Sequence, residues 1–210
     1  RQPQKHGMAI TDIFTGIYAS TAILAAVHQR GSTGVGQHID MALLDCAVAI
    51  TGNQGMNYLT SGKAPTRMGN AHPNLTPYEV FETSDGHIII ATGNDGQFQR
   101  LCHLLGLDDM MTDSDYTKNA NRVANRPAMN ARLEGATCLR TRADLLAACE
   151  ANTVPAGPIN SLEDTFNDPQ VIARGMQIEL DGVPGINSPF KFSGAELSLK
   201  RPAPKLGEDD

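Results

Sequence analysis

Apolar residues recur at helical spacing from Ile13 through Ile17 and Leu24 to Val27, which predicts an amphipathic helix over residues 12–30 with Thr11 or Asp12 as its N-cap. Ile39, Met41 and Leu43 then fall on one face of a strand over 37–43, and a second helix over 44–60 ends near Tyr58 and Leu59. Gly, Pro, Asn and Thr crowd residues 61–77, which read as a long loop. Tyr78–Thr83 and His87–Thr92 flank Ser84-Asp-Gly86 and predict a β-hairpin with a tight turn. Phe98–Leu107 reads as a short apolar helix. Residues 108–153 alternate polar loops with helices, Thr141-Arg-Ala-Asp144 forming a capping box for a helix through Glu150. Val154-Pro-Ala-Gly-Pro-Ile159 is an extended connector, since Pro is excluded from a helix interior. Ser161–Phe166 and Gln170–Met176 are short helices. Gln177–Leu180, Asp181-Gly182 and the run to Phe192 suggest a final hairpin, so the fold class is α/β.

Composition narrows the options. A length of 210 residues permits one or two domains, and 40% hydrophobic residues suffice for a core. The net charge of −6, without a Lys/Arg cluster, argues against a nucleic-acid partner. No apolar run approaches the ~20 residues that span a membrane, and no signal peptide opens the chain. A cytoplasmic protein with no membrane partner is expected. Cys46, Cys102, Cys138 and Cys149 form no CxxC pair and have no zinc-like spacing to His. They read as buried free thiols in a reducing compartment, and no metal site is expected.

Asp12 is the most promising chemical group. Placed where an apolar helix begins, it meets the positive end of the helix dipole and unpaired backbone N–H groups. It has a structural reading, as a helix cap, and a chemical one. An ionised carboxylate beside the small residues Thr15, Gly16 and Ala19 can attack an electrophilic carbonyl or accept a proton. The Gly31-Ser-Thr-Gly-Val-Gly36 loop does not read as a phosphate cradle, because a helix precedes it and a strand follows it. It reads as a helix C-cap and turn. His72 and Asn74 lie in the polar linker. Asn94, in Gly93-Asn-Asp-Gly-Gln-Phe98, reads on its own as a turn and cap for the next helix.

In order along the chain come Gly7-Met-Ala-Ile-Thr-Asp-Ile-Phe-Thr-Gly16, Arg30-Gly-Ser-Thr-Gly-Val-Gly-Gln37 and His38-Ile-Asp-Met-Ala-Leu-Leu-Asp45. Arg67-Met-Gly-Asn-Ala-His72, Thr76-Pro-Tyr-Glu-Val-Phe-Glu-Thr-Ser-Asp-Gly86, Ala91-Thr-Gly-Asn-Asp-Gly-Gln-Phe98 and Val154-Pro-Ala-Gly-Pro-Ile-Asn160 follow. Asp168-Pro-Gln170 and Arg201-Pro-Ala-Pro-Lys-Leu-Gly-Glu208 complete the set. Together they resemble the family III CoA-transferases, the carnitine and bile-acid CoA-transferase family, over nearly the whole chain.

The resemblance implies a large dinucleotide-fold-like domain, a small α/β domain and an interlocked homodimer. It makes residues 1–60 a remnant of the large CoA-binding domain, 61–75 a linker, 76–160 the small domain and 161–210 a return segment. The N-terminal half of the large domain would then be missing. It implies Asp12 as the catalytic nucleophile, with His72, Asn74 and Asn94 on the substrate side. His72 and Asn74 would sit near the acyl end, where the formyl-CoA transferase branch has a glycine run that this chain lacks. Coenzyme A enters as a thioester substrate, with no permanently bound cofactor.

The expected reaction moves CoA from an acyl-CoA to a carboxylic acid through an aspartyl anhydride and an aspartyl-CoA thioester. Backbone N–H groups near Thr15-Gly16 would steady the oxyanion. Resemblance to the dicarboxylate branch points to succinyl-CoA. Two alternatives stand beside it: a 2-methylacyl-CoA racemase using Asp12 as acid/base, and an inactive dimerising fragment. Asn94-Asp95 stands where related racemases carry a supporting Glu, which favours transfer.

Overall fold

In the computed structural model, residues 6–199 and 201–208 are described, and the chain divides into two compact units, Arg1–Arg67 and Met68–Asp210. The first is helical. Helix α1 spans Ile10–Thr33, starting two residues earlier and ending three residues later than its apolar stripe suggests. Its N-cap is Ala9, not Thr11 or Asp12, so Asp12 becomes the third helical residue. Gly34 ends the helix in the left-handed conformation (φ 74°) and donates its N–H to the Arg30 carbonyl at 2.8 Å. A C-terminal Gly in this conformation closes a helix without strain, as expected of the Gly31–Gly36 loop.

Two expectations fail in this unit. Residues 37–43 form no strand: irregular backbone leads through an extended Ala42 into helix α2, Leu43–Ala49. A strand needs a neighbour to satisfy its N–H and C=O groups, and no strand among the described residues pairs with this segment. The single helix expected over 44–60 is two, α2 and α3 (Gly52–Ser61), broken where Gly52 takes φ 53°.

Helix α1 also overturns the expectation about apolar length. It has 24 residues, and its most apolar window averages a mean hydropathy of 1.5, so length and composition alone would let it cross a bilayer. Its apolar side chains Ile13, Ile17, Leu24 and Val27 are exposed, and none of its residues is buried.

The second unit holds the core. Strand β1 (Tyr78–Thr83) pairs antiparallel with β2 (Gly86–Ala91) around a two-residue Ser84-Asp85 turn, and β3 (Ala156–Pro158) pairs with the far side of β2. The Pro-bearing connector is thus an edge strand, the place a sheet tolerates Pro. Four helices complete this layer: α4 (Asp95–Leu105), α5 (Asn119–Ala124), α6 (Arg126–Thr137) and α7 (Arg142–Ala151). Phe81, Ile88 and Ile90 from the sheet meet Phe98, Leu101, Met110, Met129, Leu133, Leu145 and Val154 in one buried cluster.

Thr141 caps α7 by accepting the Asp144 N–H at 3.2 Å. The Asp144 carboxylate binds the Arg140 Nε at 2.6 Å, so the capping box expected there is built from one side only. Beyond the sheet, Ser161 and Asp164 do form a reciprocal capping box on α8 (Leu162–Asn167). Asp168 caps α9 (Pro169–Ala173), and β4 (Gln177–Leu180) pairs with β5 (Val183–Ile186) across Asp181-Gly182, so the final hairpin closes before Phe192. Cys46, Cys102 and Cys149 are buried free thiols, whereas Cys138 is half-buried, against the expectation for all four.

Candidate functional site

Asp12 owes its position to the start of α1. The first intrahelical bond in the turn runs from the Ile13 N–H to the Ala9 carbonyl at 3.1 Å. The N–H groups of Ile10, Thr11 and Asp12 therefore lie ahead of the helical ladder. Asp12 is exposed there, at the end of the helix where negative charge is stabilised. It is not the cap itself, so its carboxylate is not occupied in closing the helix as an N-cap side chain would be.

The oxyanion expectation at Thr15-Gly16 needs correction. Both residues lie past the first turn, where N–H groups are engaged with carbonyls four residues back. The Thr15 hydroxyl donates to the Thr11 carbonyl at 2.8 Å. Donors near Asp12 are those of the first turn instead.

His72 and Asn74 belong to the second unit and share one tight turn. His72 Nδ1 accepts the N–H groups of Asn74 and Leu75, each at 3.1 Å. In the neutral ring the proton then sits on Nε2, an assignment made from the hydrogen bonds. The imidazole stacks on Tyr78 with centroids 5.1 Å apart and planes 15° from parallel. The His72 N–H donates to the Tyr78 carbonyl at 2.9 Å, and its own carbonyl accepts from Arg126 Nη2 at 2.7 Å.

Three side chains that sequence reasoning did not single out fasten this turn. Asn119 Nδ2 donates to the Asn74 carbonyl at 2.8 Å while its Oδ1 accepts the Thr76 N–H at 3.2 Å. Arg122, with a side chain 1% exposed, donates to the carbonyls of Thr76 and Tyr116 and to Asp95 Oδ1, each at 2.9 Å. Its guanidinium also lies 4.4 Å from the centre of the Phe98 ring. Arg126 adds Glu79 at 3.1 Å to its contact with His72. Asn119, Arg122 and Arg126 are spaced i, i+3, i+7. Asn119 and Arg122 share a face of α5 while Arg126 opens α6, so the i, i+3, i+7 spacing was the available signal although it spans two helices.

Asn94 is where the cap reading placed it. Its Oδ1 accepts the Gln97 N–H at 2.9 Å and opens α4. The neighbouring carboxylate, Asp95, is held by Arg122 and, at 3.7 Å, by Lys118. Thr92 binds the Pro77 carbonyl through both its N–H (2.9 Å) and its hydroxyl (2.8 Å), so the Asn94 turn starts beside the end of the His72 loop.

The Cys102 and Cys149 thiols are poor nucleophiles. Burial pushes Cys102 up to about 12, against a smaller opposing effect of the Arg122 charge, and pushes Cys149 up to about 11. Among the described residues, no group of three or more His, Cys, Asp or Glu could hold a metal ion. An open cavity of about 350 Å³ lined by Phe166, Gln177, Pro184, Gly185 and Ile186 contains none of the candidate residues.

The family model described as CoA-transferase family III matches residues 1–210. A succinate–glutarate CoA-transferase of Agrobacterium fabrum is 51% identical over 99% of this chain and 53% of its own length. The succinyl-CoA:glutarate CoA-transferase of Mus musculus is 36% identical over 98% of this chain and 48% of its own length. A CAIB/BAIF family protein from Brucella suis, of known crystal structure, is 54% identical with a TM-score of 0.80, over 99% of this chain and 55% of that one. The mixed α/β fold is thus shared with that family of structures, and the chain spans about half the length of the curated relatives it matches.

Proposed function

The chain belongs to CoA-transferase family III, and from that premise we propose that it serves a CoA-transferase moving CoA from an acyl-CoA thioester to a free carboxylate. The observation that carries this reading is the match along the whole chain, with Asp12 standing in the first turn of α1 inside the matching segment. The relatives named for succinate and glutarate support dicarboxylates as donor acid and acceptor.

In this mechanism an Asp12 carboxylate oxygen adds to the thioester carbonyl. The carbon–sulfur bond breaks, and CoA leaves as thiolate from a mixed anhydride. The thiolate then adds to the Asp12 carbonyl of the anhydride. The donor acid departs as a carboxylate, carrying one oxygen that belonged to Asp12, and leaves an aspartyl-CoA thioester. The acceptor carboxylate displaces the thiolate to form a second anhydride. Thiolate attack on the acceptor's carbonyl releases the new acyl-CoA and returns the carboxylate of Asp12 with one acceptor oxygen. First-turn N–H groups of α1 would meet negative charge developing beside Asp12. Water must be kept from the anhydride and thioester. The turn carrying His72 and Asn74, and the cap residue Asn94, belong to the substrate side in this reading.

The proposal extends to the longer protein. There α1 is a core helix of a dinucleotide-fold-like domain, its apolar stripe covered by chain outside these 210 residues, within an interlocked homodimer. Asp12, Gly16, Ser20, His28 and Arg30 along α1 suit a core helix better than a bilayer span. Four free thiols suit a reducing, cytoplasmic setting. Racemisation gains no support from the Asn94 region, since its one carboxylate, Asp95, is tied to Arg122 and Lys118.

The test uses the full-length protein with succinyl-CoA and glutarate. Glutaryl-CoA should form with wild type and fall at least about a thousandfold with Asp12→Asn, a loss typical of removing a covalent nucleophile. Near-normal turnover by Asp12→Asn, in a folded protein, removes Asp12 from the mechanism. Rapid α-deuterium exchange of a chiral 2-methylacyl-CoA, with no CoA passing to added carboxylates, would favour the racemase.

A further inference from the structure

We infer that His72 is a positioning residue whose neutral ring latches the turn bearing Asn74, and that uptake of a proton at Nδ1 opens the latch. The functional consequence rests on the substrate-side reading of this turn; the latch itself does not.

The geometry is specific. Nδ1 is the shared acceptor for two consecutive backbone N–H groups, those of Asn74 and Leu75. An imidazolium has no acceptor, because both ring nitrogens then carry protons. Protonation would therefore remove two hydrogen bonds at once and set a ring N–H against two backbone N–H groups. The rest of the segment cannot drift to compensate. The His72 carbonyl is held by Arg126, the Asn74 carbonyl and Thr76 N–H by Asn119, and the Thr76 carbonyl by the buried Arg122. The Asn74 and Leu75 N–H groups then turn to water.

Charged and titratable groups stand on the elements packed around the ring. On α6, the Arg126 guanidinium lies against the His72 carbonyl, and Glu79 on β1 is committed to that guanidinium. Tyr78, also on β1, offers its ring face. On α5 and α4, Arg122 is matched by Asp95. The consequence is a turn that is closed with neutral His72 and open in acid, and Asn74 moves with it.

The test is amide hydrogen exchange by NMR on the 210-residue chain and, for activity, on the full-length protein. From pH 8 to pH 5, protection of the Asn74 and Leu75 amides, corrected for intrinsic exchange, should fall about tenfold. It should do so with the same midpoint as the His72 ring. Nitrogen shifts at pH 8 should show the proton on Nε2. His72→Asn places an Oδ1 where Nδ1 stands, so it should keep the protection and make it independent of pH. His72→Phe retains a ring on Tyr78 but should lose the protection at every pH. A proton on Nδ1 at pH 8, unchanged protection while the ring titrates, or a pH response persisting in His72→Asn would overturn the latch. If the amides behave as expected but the KM for acceptor in the full-length protein ignores both substitutions, the latch stands. The substrate-side reading of the turn then falls.

Discussion

Arg122 divides its guanidinium among the carbonyls of Thr76 and Tyr116 and the carboxylate of Asp95, with Phe98 beneath it. Removing it leaves two carbonyls deep in the unit without their donor, so Arg122→Met should lower unfolding free energy by about 3 kcal/mol, measured by urea titration. Arg122→Lys should lose nearly as much, because an ammonium cannot span three acceptors in a plane. The thiols give a second prediction. Cys102 and Cys149 titrate ordinarily at 9.0 but are pushed up to about 12 and about 11 by burial. The unfolded chain releases protons that the folded chain keeps. Stability from these two groups is therefore full below pH 9 and is lost as pH rises through 11 to 12. At pH 8, iodoacetamide should modify the half-buried Cys138 at least about tenfold faster than either, as read by mass spectrometry. Asn94 could be read correctly from sequence because a cap is a local arrangement. Arg122 could not, because its partners lie 6, 27 and 46 residues away.

At the scale of elements, local chemistry and pairing behave differently. Asn94 at the N-cap of α4 and Ser161 at that of α8 each satisfy donors that a helix start exposes. Asn94→Ala should cost about 1 kcal/mol of unit stability in the same urea titration, and no loss would deny the cap its role. The Ser84-Asp85 hairpin and the Asp181-Gly182 hairpin were legible for the same reason: turn residues and flanking alternation are close in sequence. The segment 37–43 carries strand-like alternation yet forms no strand, because alternation is local whereas pairing is not, and no strand among the described residues pairs with it. The break between α2 and α3 was not legible in the helical pattern of 44–60: α2 ends at Ala49, and the positive φ of Gly52 (53°) sets off the start of α3. Thr11 and Asp12 looked like the N-cap of α1 because they are favoured cap residues. The helix begins at Ile10, and its N-cap is Ala9, which has no such side chain.

Across the molecule, burial is uneven. Apart from Cys46, every buried hydrophobic side chain described lies between Phe81 and Val154. Amide exchange of the 210-residue chain should accordingly be slowest within 78–158 and fast in α1 and α3, where no residue is buried. Ile13, Ile17, Leu24, Leu44 and Leu59 are more than half exposed, a density that soluble monomers rarely present. Sedimentation of the 210-residue chain should show association, or hydrophobic-dye binding if it stays monomeric. A dye-free monomer would mean that these side chains find cover within the chain. In the proposed mechanism Asp12 carries the acyl group and then CoA. The most direct measurement is to turn over the full-length protein with succinyl-CoA and glutarate labelled with heavy oxygen in its carboxylates, then weigh the peptide containing Asp12. Covalent transfer through this residue predicts heavy oxygen in the Asp12 carboxylate, because each cycle returns it with one acceptor oxygen. Glutaryl-CoA formation with no label in that peptide would contradict it.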